Sequence, residues 1–341
     1  MTLRFRLAPA LLLASTIFLS GSSPAGVTVR VETEDPQPVM LLPGVEDELG
    51  LSGITWLGED RYLAVGDHPS RLYFLRITID GASGTIDNAE LERTVPLEGA
   101  SDPEAVVYHP ERGTCFIAEE VTDDPEAVHE HDCREGKRLE APALSEHLLR
   151  SRRNRGLEAL VYDESIDAFF TANEGPLEGD GPAADARHGA WLRLFAFGPE
   201  TGPVVEWAYR VDAIPGDVPL FNREVSGVTA LQSLSDGRLL VLERALGAVG
   251  PFGLPGFRHR LYVATPDSDS DATLVTNLPA DDVRPMTKRR VWEGHLGPVF
   301  NFEGMTFGPE LEDGTRLLLL VSDDGGGLAR ALLPLRVRTG D

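Results

Sequence analysis

Five segments of the chain share one alternation of hydrophobic and polar positions, in which a short apolar strand, a polar turn and a second apolar strand follow one another. Each segment opens with Ser or Glu, then Gly or Ala, then an aliphatic residue. The second strand of each segment ends in an acidic residue. This pattern predicts five β-hairpins, which cover residues 51–68, 103–120, 157–174, 225–244 and 302–324.

Further apolar runs lie between these hairpins and predict additional strands over residues 71–80, 191–200, 205–213 and 259–267. Two hairpin strands and two outer strands make one four-stranded blade of a β-propeller, an all-β fold in which the blades surround a central channel. The repeats therefore predict five blades, or six if a degenerate blade lies in the longer spacings. We expect residues 27–34 and 328–337 to complete the last blade and close the ring.

The hairpin geometry also predicts where the polar strand ends meet. The innermost strands of a propeller run in one direction along the channel, so their opening residues form a ring at one mouth. Each hairpin returns to its starting end, so the acids that end the second strands form an outer ring. The inner ring holds Ser52, Glu104, Glu158, Ser226 and Glu303, and the outer ring holds Asp67, Glu120, Glu174, Glu243, Asp323 and Asp324. For Glu120 and Asp324 considered alone, a solvated strand end is the simpler interpretation.

So many carboxylates at one mouth cannot all stay ionised without positive charge nearby, because like charges raise one another's pKa. A bound cation or convergent arginines must offset them. Hard oxygen ligands at variable distances favour calcium over zinc or magnesium. We expect calcium as the cofactor, with Glu104, Glu158, Glu303, Ser52 and Ser226 as its ligands.

The same residues are compatible with metal-assisted hydrolysis. Calcium would polarise a phosphate or carbonyl oxygen, and Glu174, Asp323 or Asp67 would take the proton of a water. Arg155 and Arg244 would bind a phosphoryl or carboxylate group, although salt bridges to the neighbouring acids explain them equally well. A serine-esterase mechanism is disfavoured, because no Gly-x-Ser-x-Gly segment occurs.

Two functions remain open at this point. The first is a calcium-dependent hydrolase of phosphate esters, lactones or similar small esters. The second is a non-catalytic propeller that binds a ligand or a protein partner, with calcium in a structural role.

The charge balance excludes several kinds of partner. The chain carries 55 acidic and 31 basic residues, which gives a formal net charge of −24. Such a surface repels nucleic acids and anionic lipid headgroups. Hydrophobic residues make up 42% of the chain, which is enough for a buried core. We therefore expect no nucleic-acid partner. We also expect no membrane span, because no segment after the N-terminal one approaches 18 apolar residues. The further expectations are a monomer and a small anionic or ester substrate.

The N-terminus has the pattern of a secretory signal. Arg4 and Arg6 precede an apolar run over residues 7–19, and small residues follow up to Ala25. We expect a signal peptide over residues 1–25, a single domain over residues 26–341, and a periplasmic or secreted protein.

Export also affects the interpretation of the two cysteines. Cys115 and Cys133 are the only pair, and an oxidising compartment would join them in a disulfide. Two cysteines do not make a zinc site alone. The nearby His129 and His131 alternate with acidic residues, which is typical of a solvated loop.

Several short motifs resemble those of the phytase-like family, known as "esterase-like activity of phytase", from about Leu51 to Val337. The most specific are Asn154-Arg155-Gly156-Leu157-Glu158-Ala159 and Asn301-Phe302-Glu303-Gly304-Met305. The others are Gly50-Leu51-Ser52-Gly53, Asp102-Pro103-Glu104-Ala105, Asn173-Glu174-Gly175-Pro176-Leu177, Val225-Ser226-Gly227, Leu242-Glu243-Arg244 and Val321-Ser322-Asp323-Asp324. By its similarity to calcium-dependent propeller phosphatases and lactonases, this family implies an exported propeller with esterase or phytase activity. One departure is Gly66-Asp67-His68, where such proteins usually have Ser-Asp-Arg. His68 therefore takes the place of an arginine that the resemblance implies for substrate binding.

Overall fold

The computed structural model describes residues 28–34, 36–40, 50–67, 69–121, 127–142, 144–200, 204–214, 216, 225–249, 254–294, 300–323 and 330–340. The predicted signal peptide, His68 and Asp324 lie outside these residues. A short 3₁₀ helix covers Glu146–Arg150. Within the described ranges, no helix has the length and apolar character that a membrane span requires.

Nearly all regular structure in these ranges is β-strand, as the alternating pattern predicts. In chain order the strands are β1 (Thr28–Val31), β2 (Val39–Met40), β3 (Gly53–Gly58), β4 (Arg61–Gly66), β5 (Arg71–Ile79), β6 (Ile86–Pro96), β7 (Pro103–His109), β8 (Thr114–Glu119), β9 (Val128–His131), β10 (Leu157–Asp163), β11 (Ala168–Asn173), β12 (Trp191–Phe197), β13 (Val205–Arg210), β14 (Val225–Ser233), β15 (Leu239–Val249), β16 (Leu254–Thr265), β17 (Thr287–Gly294), β18 (Asn301–Glu310), β19 (Arg316–Asp323) and β20 (Ala331–Gly340).

These strands form five antiparallel sheets, which are the blades of a five-bladed β-propeller. Blade 1 is β3–β6, blade 2 is β7–β9 with an added bridge between His131 and Arg138, and blade 3 is β10–β13. Blade 4 is β14–β17, and blade 5 combines β18–β20 with β1, while β2 also pairs with β20. The innermost strands β3, β7, β10, β14 and β18 each contact the next, and β18 contacts β3. The ring therefore closes with five blades, and the alternative of a sixth is not needed.

The N-terminal strand closes the ring as the sequence predicts. β1 pairs antiparallel with β20, from Thr28 opposite Gly340 to Val31 opposite Val337. The two ends of the chain thus share one blade, and this pairing ties the first described residues to the last ones.

The hydrophobic core is divided among the five interfaces between adjacent blades. Consecutive residues of β4 show how this works, because successive side chains of a strand point to opposite faces. Tyr62 packs against blade 5 and Leu63 packs against blade 2. The interface between blades 2 and 3 contains Phe195, and the next one, between blades 3 and 4, contains Trp207. Between blades 4 and 5 the interface contains Phe302.

Gly53 occupies a point where two inner strands come very close together. A Cβ atom there would lie 2.7 Å from the Cα atom of Ala105 and 2.9 Å from the carbonyl oxygen of Glu104. Only glycine fits such a contact between backbones.

Blade 2 differs from the sequence prediction at its histidines and cysteines. His129 and His131 do not lie in a solvated loop, because both are buried in β9. Cys115 and Cys133 are buried free thiols in the structure, so the predicted disulfide is not formed there. A hydrogen bond with Cys133 and burial raise the pKa of the Cys115 thiol well above its usual value, so the two thiols are neighbours.

Candidate functional site

One end of the channel opens into a cavity of ≈ 950 Å³ that is rich in charged side chains. Its walls include seven carboxylates and three guanidinium groups. The acids are Asp67, Glu104, Glu120, Glu158, Glu174, Glu303 and Asp323, and the cations are Arg153, Arg155 and Arg244. Ser52 also lines it. We call this space the acidic cavity.

Three glutamates of the inner ring owe their position to β-bulges. Glu104, Glu158 and Glu303 are each skipped in the strand register, since the residues on either side pair with consecutive residues of the next strand. A bulge inserts one extra residue and redirects its side chain. Each glutamate therefore leaves the alternation of its strand at the channel mouth, where its side chain lines the acidic cavity.

The acids of the outer ring follow from the antiparallel pairing of each hairpin. Asn301 pairs with Asp323, and Leu157 pairs with Asn173, which directly precedes Glu174. The end of the second strand therefore returns to the start of the first one. Glu120 follows β8 in the same way and is a half-buried residue of the acidic cavity.

Blade 4 breaks the predicted rings. Its bulge lies at Thr229 instead of Ser226, and Val225 pairs with Leu246, whereas the corresponding Leu157 of blade 3 pairs with Asn173. Glu243 is not among the residues that line the acidic cavity. It accepts hydrogen bonds from the Tyr209 hydroxyl at 2.7 Å and from the Asp212 amide at 3.1 Å, and it forms an ion pair with Lys288. Ser226 is buried but does not line the cavity either.

The two predicted substrate-binding arginines are engaged by acids of the cavity. Arg244 forms ion pairs with Glu174 and Glu303, and its Nη1 donates a hydrogen bond to Oδ1 of Asn301 at 2.9 Å. Arg155 Nη1 lies 2.5 Å from Oε2 of Glu174. Of the two interpretations left open by the sequence, the structure contains the salt bridges. Although burial lowers the pKa of Arg244, the neighbouring Glu174 and Glu158 outweigh it and the pKa is raised.

Glu104 and Glu158 take part in no ion pair of this kind among the described residues. Their exposed fractions are 9% and 7%, and among the described residues neither side chain has a hydrogen bond or an ion pair. Burial and the nearby carboxylates, Glu158 first, raise the pKa of Glu104 well above its usual value. Burial and the Glu174 carboxylate likewise raise the pKa of Glu158, although Arg244 opposes them. Burial also raises the pKa of Glu120 to about 7.

The acids gather into two groups that share Glu120. Asp102, Glu104 and Glu120 form the first group, and Glu120, Glu158 and Glu174 form the second. In each group one carboxylate oxygen per residue lies within 4.8 Å of the others. Glu303 belongs to neither group and is held by Arg244 and by Asn301, whose Nδ2 donates to Oε1 of Glu303 at 2.9 Å.

Two loop residues at this mouth adopt unusual backbone angles. Asp102 has φ of 61° and Asn154 has φ of 54°, in the left-handed region that residues other than glycine seldom adopt. The Glu120 amide donates to the Asp102 carbonyl at 2.8 Å, and the Ser101 amide donates to Oε2 of the buried Glu119 at 2.8 Å. Such strain persists where surrounding contacts over-determine it, which is common at functional sites. Asp102 belongs to the Asp102-Pro103-Glu104-Ala105 motif, but its position beside Glu104 and Glu120 does not follow from spacing in the sequence.

The sequence comparison with protein families decides the classification. The profile of the phytase-like family, "esterase-like activity of phytase", matches residues 49–326. The chain belongs to the phytase-like family. The match to this phytase-like chain begins just before β3 and ends just after β19, so it includes all five inner strands and every residue of the acidic cavity. No curated protein matches the sequence.

Several solved structures are similar to the phytase-like chain at low identity. The PQQ-bound aldose sugar dehydrogenase of Streptomyces coelicolor is 12% identical, with a TM-score of 0.40, over 92% of this chain and 99% of that one. The endo-arabinase of Bacteroides thetaiotaomicron is 10% identical, with a TM-score of 0.45, over 87% of this chain and 96% of that one. Similarity at this level has no bearing on activity.

Proposed function

We propose that this phytase-like propeller is an exported, calcium-binding hydrolase that cleaves phosphate esters or other small esters and lactones in the acidic cavity. One observation carries the proposal. Glu104 and Glu158 are buried carboxylates that lack an ion pair among the described residues and lie beside further acids. Buried carboxylates of this kind are paired or coordinate a metal.

The donor set fits calcium. Calcium–oxygen distances of about 2.3–2.6 Å place two ligands of one ion at most about 5 Å apart. The oxygens within each acid group satisfy this limit, since they lie within 4.8 Å of one another. All donors are carboxylates and none is a thiolate, which favours a hard cation. Asp102, Glu104 and Glu120 would hold one ion, and Glu158 and Glu174 would hold another together with Glu120.

Bound calcium would supply Lewis-acid polarisation of a phosphoryl or carbonyl oxygen. The chain's own residues would orient the substrate and move the proton. Arg155 and Arg244 hold the Glu174 carboxylate from two sides, so both of its oxygens are engaged by guanidinium groups. Asp67 and Asp323 line the same cavity and would accept a proton from water there. Arg153 is exposed at the cavity and is suited to an anionic substrate group.

The test combines calcium titration with turnover. Chelator-treated protein is titrated with calcium by calorimetry, and a panel of phosphomonoesters, carboxylic esters and lactones is assayed with calcium and with chelator. We expect calcium-dependent turnover of at least one panel member. We also expect Glu158→Gln and Glu104→Gln to weaken calcium binding by at least about tenfold, because each removes one ligand charge. Glu111→Gln, an exposed carboxylate outside the cavity, is the matched control.

The alternative function is a non-catalytic propeller with structural calcium. Calcium binding that depends on Glu158, without turnover of any panel member in its presence, would favour this alternative. Unchanged calcium affinity in both the Glu104 and the Glu158 variant would reject the proposed cation site itself.

Export is part of the same proposal and rests on the N-terminal pattern over residues 1–25. N-terminal sequencing of protein recovered from the periplasm or medium tests it, and we expect the mature chain to begin after Ala25. A chain that keeps Met1 and stays in the cytoplasm contradicts export.

A further inference from the structure

The channel has a second mouth at the end opposite the acidic cavity. It opens into a cavity of ≈ 280 Å³, close to the lower end of the roughly 300–1,000 Å³ range of small-molecule pockets. A constriction that holds only ≈ 10 Å³, lined by Ile54, Leu160 and Met305 among others, separates the two cavities. A ligand in this second cavity would therefore not touch the carboxylates of the first one.

The walls of the second cavity are largely aromatic. Trp56, Tyr108, Tyr162 and Phe307 all line it, and the first three are only partly buried. These side chains come from four strands or strand ends, β3, β7, β10 and β18, so the ring shape of the propeller gathers them. Partly exposed rings around a cavity offer faces and edges against which a planar ligand can stack.

One cation, Arg316, lines this cavity opposite Glu310 of the neighbouring strand. The Nε of Arg316 donates to the Gly308 carbonyl at 3.1 Å, and the guanidinium lies 4.6 Å from the centroid of the Phe307 ring. In the described part of the chain, Nη1 and Nη2 of Arg316 have neither a hydrogen bond nor an ion pair. Burial lowers the pKa of Arg316, and Glu310 opposes this only in part. The stacking on Phe307 fixes the guanidinium plane and leaves its two terminal nitrogens available for a ligand.

We propose that the second cavity binds a small aromatic carboxylate, with its ring against the aromatic walls and its carboxylate on the terminal nitrogens of Arg316. Aromatic walls alone would also accept an organic cation, and Glu164 lines the same cavity. The guanidinium decides for the anion, because its two terminal nitrogens make no hydrogen bond among the described residues and two parallel N–H donors match a carboxylate. The site is independent of the hydrolase proposal, since it shares no residue with the acidic cavity.

Calorimetry with benzoate as the probe tests this site, with benzamide as the neutral ligand of the same shape. We expect benzoate to bind at least about tenfold more tightly than benzamide, because the neutral benzamide cannot form the charged hydrogen bonds that a carboxylate makes to Arg316. We expect Arg316→Gln to weaken benzoate binding by about tenfold and to leave benzamide unaffected. Arg316→Lys keeps the positive charge but loses the two parallel N–H donors. Its affinity for benzoate should therefore lie between those of the unmodified protein and Arg316→Gln. Arg93→Gln removes an exposed arginine that stacks on Phe74 outside both cavities, so it is the matched control and should leave benzoate binding unchanged.

Four outcomes would overturn the proposal. Benzoate does not bind, benzoate and benzamide bind equally, benzyltrimethylammonium binds more tightly than benzoate, or Arg316→Gln binds benzoate like the unmodified protein. Unchanged circular dichroism of the Arg316 variants shows that they fold. Benzoate binding that persists in chelator, and in Glu158→Gln, separates this site from the acidic cavity.

Discussion

Arg244, on β15 of blade 4, forms an ion pair with Glu174, which follows β11 of blade 3. The pair links adjacent blades at the floor of the acidic cavity. The same guanidinium also reaches Glu303 of blade 5, so one side chain compensates acids from two neighbouring blades. Both Arg244 and Glu174 are almost fully buried, with exposed fractions of 6% and 2%.

Removal of this guanidinium should destabilise the protein strongly. Arg244→Met leaves Glu174 with Arg155 alone and leaves Glu303 without its ion pair. Breaking a buried pair from one side typically costs about 3–5 kcal/mol, because the remaining charge stays buried. We expect a loss of about 3 kcal/mol in the free energy of unfolding, measured by denaturant titration in chelator. Arg153→Met, at an exposed position of the same cavity, is the control, and an equal effect in both variants would contradict the assigned role of Arg244.

The close approach at Gly53 gives a second prediction. In Gly53→Ala the new methyl group would meet backbone atoms of Ala105, Glu104 and Val106 within 3 Å, and backbone cannot move aside as a side chain can. Overpacking of this kind costs about 1–3 kcal/mol. Gly340→Ala is the matched control, because a Cβ there meets nothing within 4 Å. Thermal melts of the two variants should differ clearly, and equal melting temperatures would show that β3 and β7 can separate without cost.

The sequence was informative where structure follows from local pattern. Alternation of apolar and polar residues identified the hairpins, and the common hairpin geometry placed Glu104, Glu158, Glu174 and Glu303 at one mouth. The predicted outer ring is wrong in blade 4, where the repeat pattern gave Glu243 the same position as Glu174. The β14–β15 pairing carries its bulge at Thr229, so the register shifts and Arg244 faces the cavity instead. A bulge depends on how two strands pair, and neither strand alone reveals its place.

Other parts of the site depend on contacts between distant segments. Glu120 looked like a solvated strand end, but the loop at Asp102 and the amide of Gly156, which donates to Oε1 of Glu120 at 3.0 Å, enclose it. The pairing of Arg155 and Arg244 with one carboxylate also joins two blades. Spacing in the sequence carries no information on such contacts, which the closure of the ring creates.

The two cysteines of blade 2 give a third prediction. Since the thiols of Cys115 and Cys133 are buried neighbours, the oxidising compartment that the proposed export implies should join them with little rearrangement. Protein recovered from the periplasm should then show no free thiols when denatured without reductant. Reduction should lower the free energy of unfolding by about 3 kcal/mol, as the chain-entropy model gives for a loop of about this length. Cys115→Ala in non-reducing conditions should match the reduced protein, and two titratable thiols in the exported protein would contradict the pairing.

The acidic cavity gives a prediction on pH. An acid whose pKa is higher in the folded than in the unfolded chain makes the folded chain bind more protons between the two values, so stability falls as pH rises through that interval. For Glu120 the interval runs from the usual 4.5 to about 7, and the pKa values of Glu104 and Glu158 shift in the same direction. In chelator we therefore expect a higher free energy of unfolding at about pH 5 than at about pH 8. Glu158→Gln should flatten this slope, whereas the exposed Glu111→Gln should not.

Added calcium should stabilise the protein most at the higher pH, where the ligands are ionised. Denaturant titrations over this range measure all three, and a metal-free protein that gains stability as pH rises would show that the three glutamates are already compensated.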